Sequence, residues 1–333
     1  MKNRTERKKK GQQRKLRQEE HLRQSLAGAE DLIASSRLAM ERVLGDVQKV
    51  LEGHEFANDD ELNRFLSKLT GTGLEKRLAG QVEKDPARQA QDLAYQAMEA
   101  ETASQAVGLA RKAVALDPDC VDALAVIARE TAQSLPEAIA LLTQAVEAGE
   151  RSLGANFFEE NKGHFWGILE TRPYMRARHE LAGLLRSAGR LSESIRHIEA
   201  ILELNPNDNQ GVRDDLLGCY LSTGNLEGAR RLLKRYEEDC SAVFGWGRVL
   251  ERYLSGDIKA ASQELKRARA DNRYAEAYLT GKKRVPRRPP DFYSFGDESE
   301  AICCAILLAD AWKRHPQAIE WLTSAGKSKS VTA

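Results

Sequence analysis

Three glycines constrain the second half of this chain more than any other feature. Gly189, Gly224 and Gly256 stand 35 and 32 residues apart, and five residues after each comes a small side chain, Ser194, Ala229 or Ala261. A glycine at that interval ends one helix in a left-handed conformation and turns the chain into the next. The small residue then lets the second helix lie close to the first. Val121–Ala148 carries Ala138 in the equivalent place. Two further segments, SQAVGLARKAVALDPD (Ser104–Asp119) and SESIRHIEAILELNPND (Ser192–Asp208), have helical patterns that close on Pro118 and Pro206. Proline cannot continue a helix, so each marks its end. A chain punctuated in this way is expected to stack helical hairpins.

These features resemble the tetratricopeptide repeat, a helix–turn–helix unit of about 34 residues. The resemblance is carried by the turn glycines, the small residue of the second helix and the closing prolines. The pairs Leu93-Ala94, Leu181-Ala182 and Leu216-Leu217 in the first helices add to it, and it covers Pro86–Ala148 and Met175–Asn272. The early aromatic of that family is missing, and the copy at Arg248–Asn272 lacks its proline. The resemblance implies an all-α, right-handed helical solenoid of degenerate repeats with a concave groove. The phrases GHFWGILETRPYMRAR, LNPNDNQGVR and GDESEA are also similar to an uncharacterised group of bacterial tetratricopeptide-like proteins. No activity follows from that likeness. Repeat proteins that clamp the carboxylate tails of chaperones place Lys and Asn at the fifth and ninth repeat positions. Those positions here hold Gln91 and Tyr95, Ala123 and Ile127, His179 and Gly183, Asp214 and Gly218, so that clamp is absent.

The organisation expected around the repeats is a basic, partly disordered tail at 1–20, then an N-terminal helical region at 21–85. Repeats occupy 86–148 and 177–272, separated by an aromatic, glycine-containing insertion at 149–176. A Pro-rich loop at 273–300, capping helices at 301–325 and a tail at 326–333 complete the chain. The caps are expected because a terminal repeat otherwise exposes its apolar face. Gln13–Leu51 reads as one long amphipathic helix, with Leu22, Leu26, Ala29, Ile33, Met40, Val43, Val47 and Val50 on one side. Asn58 is placed to cap a short helix ending near Gly71.

The chemical motifs point away from catalysis. No HExxH, GxSxG or complete phosphate loop occurs, and SAGKS (Ser324–Ser328) has Trp321 where the earlier glycine is required. The five cysteines are scattered without a CxxC, which excludes a zinc ribbon and fits a reducing, cytoplasmic setting. No apolar run approaches the roughly 18 residues of a membrane span. Neither a cofactor nor a metal is expected, and oligomeric state is not legible.

Two places are candidates for binding. The net charge of +1 conceals nine Lys/Arg against three Asp/Glu in residues 1–20. Lys2, Arg4, Arg7, Lys8, Lys9, Lys10, Arg14, Lys15 and Arg17 form an electrostatic arm for nucleic acid such as RNA, the ribosome or anionic lipid, or else a solubilising start to a helix. The second candidate is NFFEENKGHFWGILETRPYMRARHE, Asn156–Glu180. It reads either as an aromatic plug between two half-arrays, burying Phe157, Phe165 and Trp166, or as a site. In the second reading His164, Trp166, Glu170, Arg172, Tyr174 and Arg176 grip a peptide or acidic ligand. The functional expectation is a non-enzymatic adaptor that binds another protein or peptide. The alternative is a ribosome- or nucleic-acid-associated factor tethered by its tail. The cluster KKRVPRRPP (Lys282–Pro290) reads as a solvated loop whose charge the following Asp and Glu cancel.

Overall fold

A computed structural model describes residues 38–52, 54–69, 85–288, 290 and 292–325. The basic tail, the first part of the expected long helix, residues 70–84 and the final tail lie outside the described residues. The chain divides into two units, 1–84 and 85–333. The described residues are overwhelmingly helical, and none lies in a β-strand.

In the first unit, α1 covers 38–51 and α2 is Asp59–Ser67. Asn58 caps α2 as its sequence suggests, its side chain accepting from Glu61 N at 3.0 Å, although the helix stops short of Gly71. On α1 the expected apolar stripe is only partly covered. Val50 is buried, whereas Met40 and Val43 are exposed and Glu41 is buried in their stead.

The second unit is a run of helical hairpins: α3 (Pro86–Met98), α4 (Ala103–Leu116), α5 (Val121–Thr131), α6 (Leu135–Leu153), α7 (Ala155–Glu160) and, after two 3-10 turns, α8 (Arg172–Ser187). It continues with α9 (Leu191–Leu204), α10 (Val212–Thr223), α11 (Leu226–Arg235), α12 (Ala242–Leu254), α13 (Ile258–Asp271), α14 (Ala275–Leu279), α15 (Glu298–Lys313) and α16 (Pro316–Ala325). Most helices pack on their successors, α6 passing the short α7 to pack on α8, and first helices also touch each other, α3 with α5, α5 with α8 and α10 with α12. Gly189, Gly224 and Gly256 have φ of 74°, 72° and 81°, the left-handed value a turn glycine supplies. Ser194, Ala229 and Ala261 are fully buried at the fourth position of their helices. The Ser194 hydroxyl donates to Ala182 O at 2.8 Å, tying α9 to α8. Ala138, in the same place on α6, stays partly open.

Two apolar cores result. The one shared by α3, α4 and α5 is built largely from alanines, among them Ala90, Ala94, Ala106, Ala110 and Ala123, which allow close helix approach. The larger core runs from Val121 to Leu322 and holds the big side chains.

The closing helices depart from the expected end cap. α15 does not merely follow the last hairpin; it lies against α10, α12 and α14. Gly218 makes this possible, because a Cβ there would stand 2.4 Å from Leu307 O. Trp246 of α12 and Trp312 of α15 meet edge to face at 6.3 Å, both fully buried. Cys304, Leu308 and Trp312 thereby complete the core. Gly218→Ala should cost about 1–3 kcal/mol, because backbone must move to admit the methyl. Gly183→Ala, whose added methyl meets nothing within 4 Å, should instead gain about 0.5–1 kcal/mol. Urea denaturation midpoints of the two variants check the pair, and equal responses would contradict the α10–α15 contact.

Candidate functional site

The insertion is structured throughout. α6 continues through Gly149 to Leu153, so the insertion is reduced to 154–171, which holds the short helix α7 and two 3-10 turns. Phe158, Phe165 and Tyr174 form an aromatic cluster with ring centroids 5.0, 5.2 and 6.4 Å apart, and Phe157 packs edge to face on Phe165. Gly149 is required beneath it, since a Cβ there would meet the Tyr174 ring at 2.8 Å. Thr171 occupies the N-cap position of α8 with Pro173 just inside, but its hydroxyl does not cap. It donates instead to Phe165 O and, at 2.8 Å, to Ile168 O, which locks the 3-10 turns.

The six candidate residues therefore separate. Tyr174 is buried in the plug, in the part assigned from sequence to Trp166. Burial pushes its hydroxyl up to about 12; Arg178 opposes the shift and Glu150 adds to it. Trp166 is half-buried, with the Arg172 guanidinium 5.2 Å over its ring and Arg172 Nε donating to Trp166 O at 3.2 Å. His164 and Glu170 are exposed on the insertion.

Arg176 belongs to a different surface. It grips Asp122 of α5 with two hydrogen bonds, Nη2 to Oδ2 at 2.6 Å and Nε to Oδ1 at 3.2 Å. Asp122 is only 3% exposed and also accepts from Gln91 Nε2 of α3 at 2.7 Å. Further along, Arg129 of α5 pairs with Glu180 of α8 at 2.9 Å. Arg186 of α8 reaches Asp215 of α10 at 2.9 Å, with His179 at 4.0 Å from the same carboxylate. Arg176, Glu180 and Gly183 share one side of α8 by helical spacing, and Gly183 is exposed. Polar bridges thus cross from α3 to α5 to α8 to α10 along a single face. Gln91, Asp122, Arg129 and Glu180 were not among the sequence candidates. Nothing local marks them, because Arg176 finds its partner 54 residues away.

Beyond this ladder, the start of α10 is acidic and crowded. Asp208, held at φ 52°, accepts from the backbone N–H groups of Val212 and Arg213. Arg213 spans Asp208 at 3.1 Å and Asp239 at 2.8 Å. Asp214 has no such cation to itself, and its Oδ1 is buried without a hydrogen-bond partner. Burial first, then the Asp239 charge, pushes it up to about 7; Arg213 opposes them, while Asp208 and Asp215 add to the rise. Among the described residues no group of three or more His, Cys, Asp or Glu side chains is arranged to hold a metal.

The pH consequence of Asp214 has a definite sign. Its folded pKa lies above its unfolded value, so the folded chain holds a proton that the unfolded chain releases. The contribution is intact below about pH 4 and is lost as pH rises towards 7. Asp214→Asn should therefore gain on the parent protein progressively between those values and hold a constant lead above them. Denaturation midpoints at pH 4.5 and 8 measure this; a lead that does not vary with pH would contradict it.

Comparison with known proteins changes the family expected from sequence. The model of the family described as ST7 protein matches residues 78–243. Two proteins named Protein ST7 homolog, from Caenorhabditis elegans and Caenorhabditis briggsae, are each 24% identical, over 72% of this chain and 51% of their own length. The chain spans about half the length of these curated relatives. The tetratricopeptide assignment and the likeness to a bacterial group are corrected by these matches. The physical reason is that turn glycines and small contact residues are what any stacked helical hairpin needs, so their spacing does not identify one family. Over about half of its length, this chain is similar to the ST7 protein family.

Proposed function

We propose that this chain is a non-enzymatic scaffold that binds an extended segment of another protein along the face of α3, α5 and α8. The supporting observation is a contrast between two faces. Among the described residues, the side of α10 and α12 is filled by α15, whereas Arg129 and Gly183 on the α3–α5–α8 side are exposed. That side carries the Arg129–Glu180 pair, 49% and 30% exposed at the side chains, whose outward-facing atoms suit the polar groups of an extended peptide. Gly183 leaves a notch on it, with nothing within 4 Å of where a Cβ would be. The five cysteines are free, consistent with work in a reducing compartment.

Arg176→Ala is a poor probe of this surface. It would strand the buried Asp122 carboxylate, and breaking such a pair costs about 3–5 kcal/mol. A photo-crosslinking residue at position 183 tests binding without that loss, with position 263 on the exposed side of α13 as control. In native lysate, position 183 should give one discrete crosslinked protein that position 263 does not. The product should survive nuclease and deletion of residues 1–25. Equal products from both positions would overturn the reading, and loss with nuclease or deletion would favour the nucleic-acid factor tethered by Lys2–Arg17.

A further inference from the structure

The segment between α14 and α15 carries three large rings that the core does not use. Phe292, Tyr293 and Phe295 are 62%, 48% and 69% exposed. They follow directly on Lys282, Lys283, Arg284, Arg287 and Arg288, with Asp291 the one acid between 282 and 295. Exposed phenylalanines adjoining a cluster of cations need an explanation, because water is a poor solvent for the rings and the cations repel each other.

The sequence suggests that the acids after Gly296 cancel this charge. The structure bears this out for one pair, Lys283 with Glu298, and commits the other acids elsewhere. Asp297 caps α15, accepting from Glu300 N at 3.0 Å and from the Ser299 hydroxyl. Glu298 is taken by the Tyr278 hydroxyl at 2.8 Å and by Lys283. Glu300, almost fully buried, accepts from Ala242 N, Asn272 Nδ2 and Gly296 N. Lys282, Arg284 and Arg287 remain exposed, outside every one of these pairs.

We propose that Phe292 and Phe295, with Lys282, Arg284 and Arg287, form an interfacial anchor for a phospholipid surface bearing anionic headgroups. Phe292 and Phe295 enter the boundary between headgroups and acyl chains, while Lys282, Arg284 and Arg287 face the lipid phosphates. Aromatic rings favour that boundary, and juxtamembrane cations add attraction to an anionic leaflet. Among the described residues no helix is long and apolar enough to cross a membrane, so the contact they make is peripheral. Two other occupants fit less well. Tyr293 and Phe295 meet edge to face at 5.9 Å, so one ring's face is covered rather than open for base stacking. A proline-recognition domain would need the Lys283–Pro289 run, but Val285 packs on the core and Lys283 is held by Glu298.

Co-sedimentation of the full chain with vesicles tests this, using phosphatidylcholine alone or mixed with phosphatidylserine. The protein should pellet with the mixed vesicles and much less with phosphatidylcholine, and added salt should weaken binding. Phe292→Ser with Phe295→Ser should abolish most of it. Arg284→Gln with Arg287→Gln should lower it about 25-fold, at roughly five-fold for each cation. All four positions are exposed, and an unchanged helical circular dichroism spectrum confirms folding. Failure to pellet on anionic vesicles overturns the proposal. So does pelleting that ignores the aromatic pair, which would assign it to the basic tail. Retention on single-stranded RNA that the same variants abolish, without vesicle binding, overturns it in favour of nucleic acid.

Discussion

The second half of the structure depends on how closely α15 lies on α10. A hydrogen atom at position 218 is what the Leu307 carbonyl permits, and any side chain would hold the two backbones apart. Close approach brings Trp312 onto Trp246 and seats Cys304 and Leu308 in the core. It also brings Glu300 to the start of α12, where its carboxylate caps Ala242 N and fixes Asn272 at the end of α13. One glycine thereby coordinates four helices. The result is that, among the described residues, the chain supplies its own occupant for the face of α10 and α12.

The acidic start of α10 shows the cost of that arrangement. Bringing Asp208, Asp214 and Asp239 to one place under packed helices requires a shared cation, and Arg213 serves two of the three. Asp214 is left to protonate or to pay in solvation. The Asp122–Arg176 bond joining α5 and α8 is better provided for, because the guanidinium meets the carboxylate with two parallel bonds and Gln91 supplies a third.

What could be read from the sequence was local. The turn glycines took the left-handed conformation their spacing required, and Ser194, Ala229 and Ala261 were buried at the helix contact. Asn58 caps the helix that follows it. The aromatic plug was legible as a cluster, though Tyr174 rather than Trp166 lies at its centre, because side-chain direction on α8 decides burial and composition does not. Contacts across long sequence separations were not legible. Nothing near Arg176 announces Asp122, and the continuous apolar pattern of Ala301–Trp312 says that α15 is buried without saying against what. Of the acids after Gly296, Glu298 does answer Lys283 as the sequence suggests, but Glu300 is taken by positions 242 and 272 on other helices, which no local pattern announces. The family was misread because hairpin spacing is shared physics.

Amide hydrogen exchange, followed by mass spectrometry, tests the place of α15 most directly. If α15 is integral to the array, the amides of Cys304–Trp312 will exchange only as slowly as those of Leu216–Leu221 in α10, through opening of the whole unit. Exchange of α15 that is orders of magnitude faster, with α10 and α12 still protected, would show a loosely held helix. In that case the α10–α12 face would be open to other partners, and the contrast between the two faces would fail.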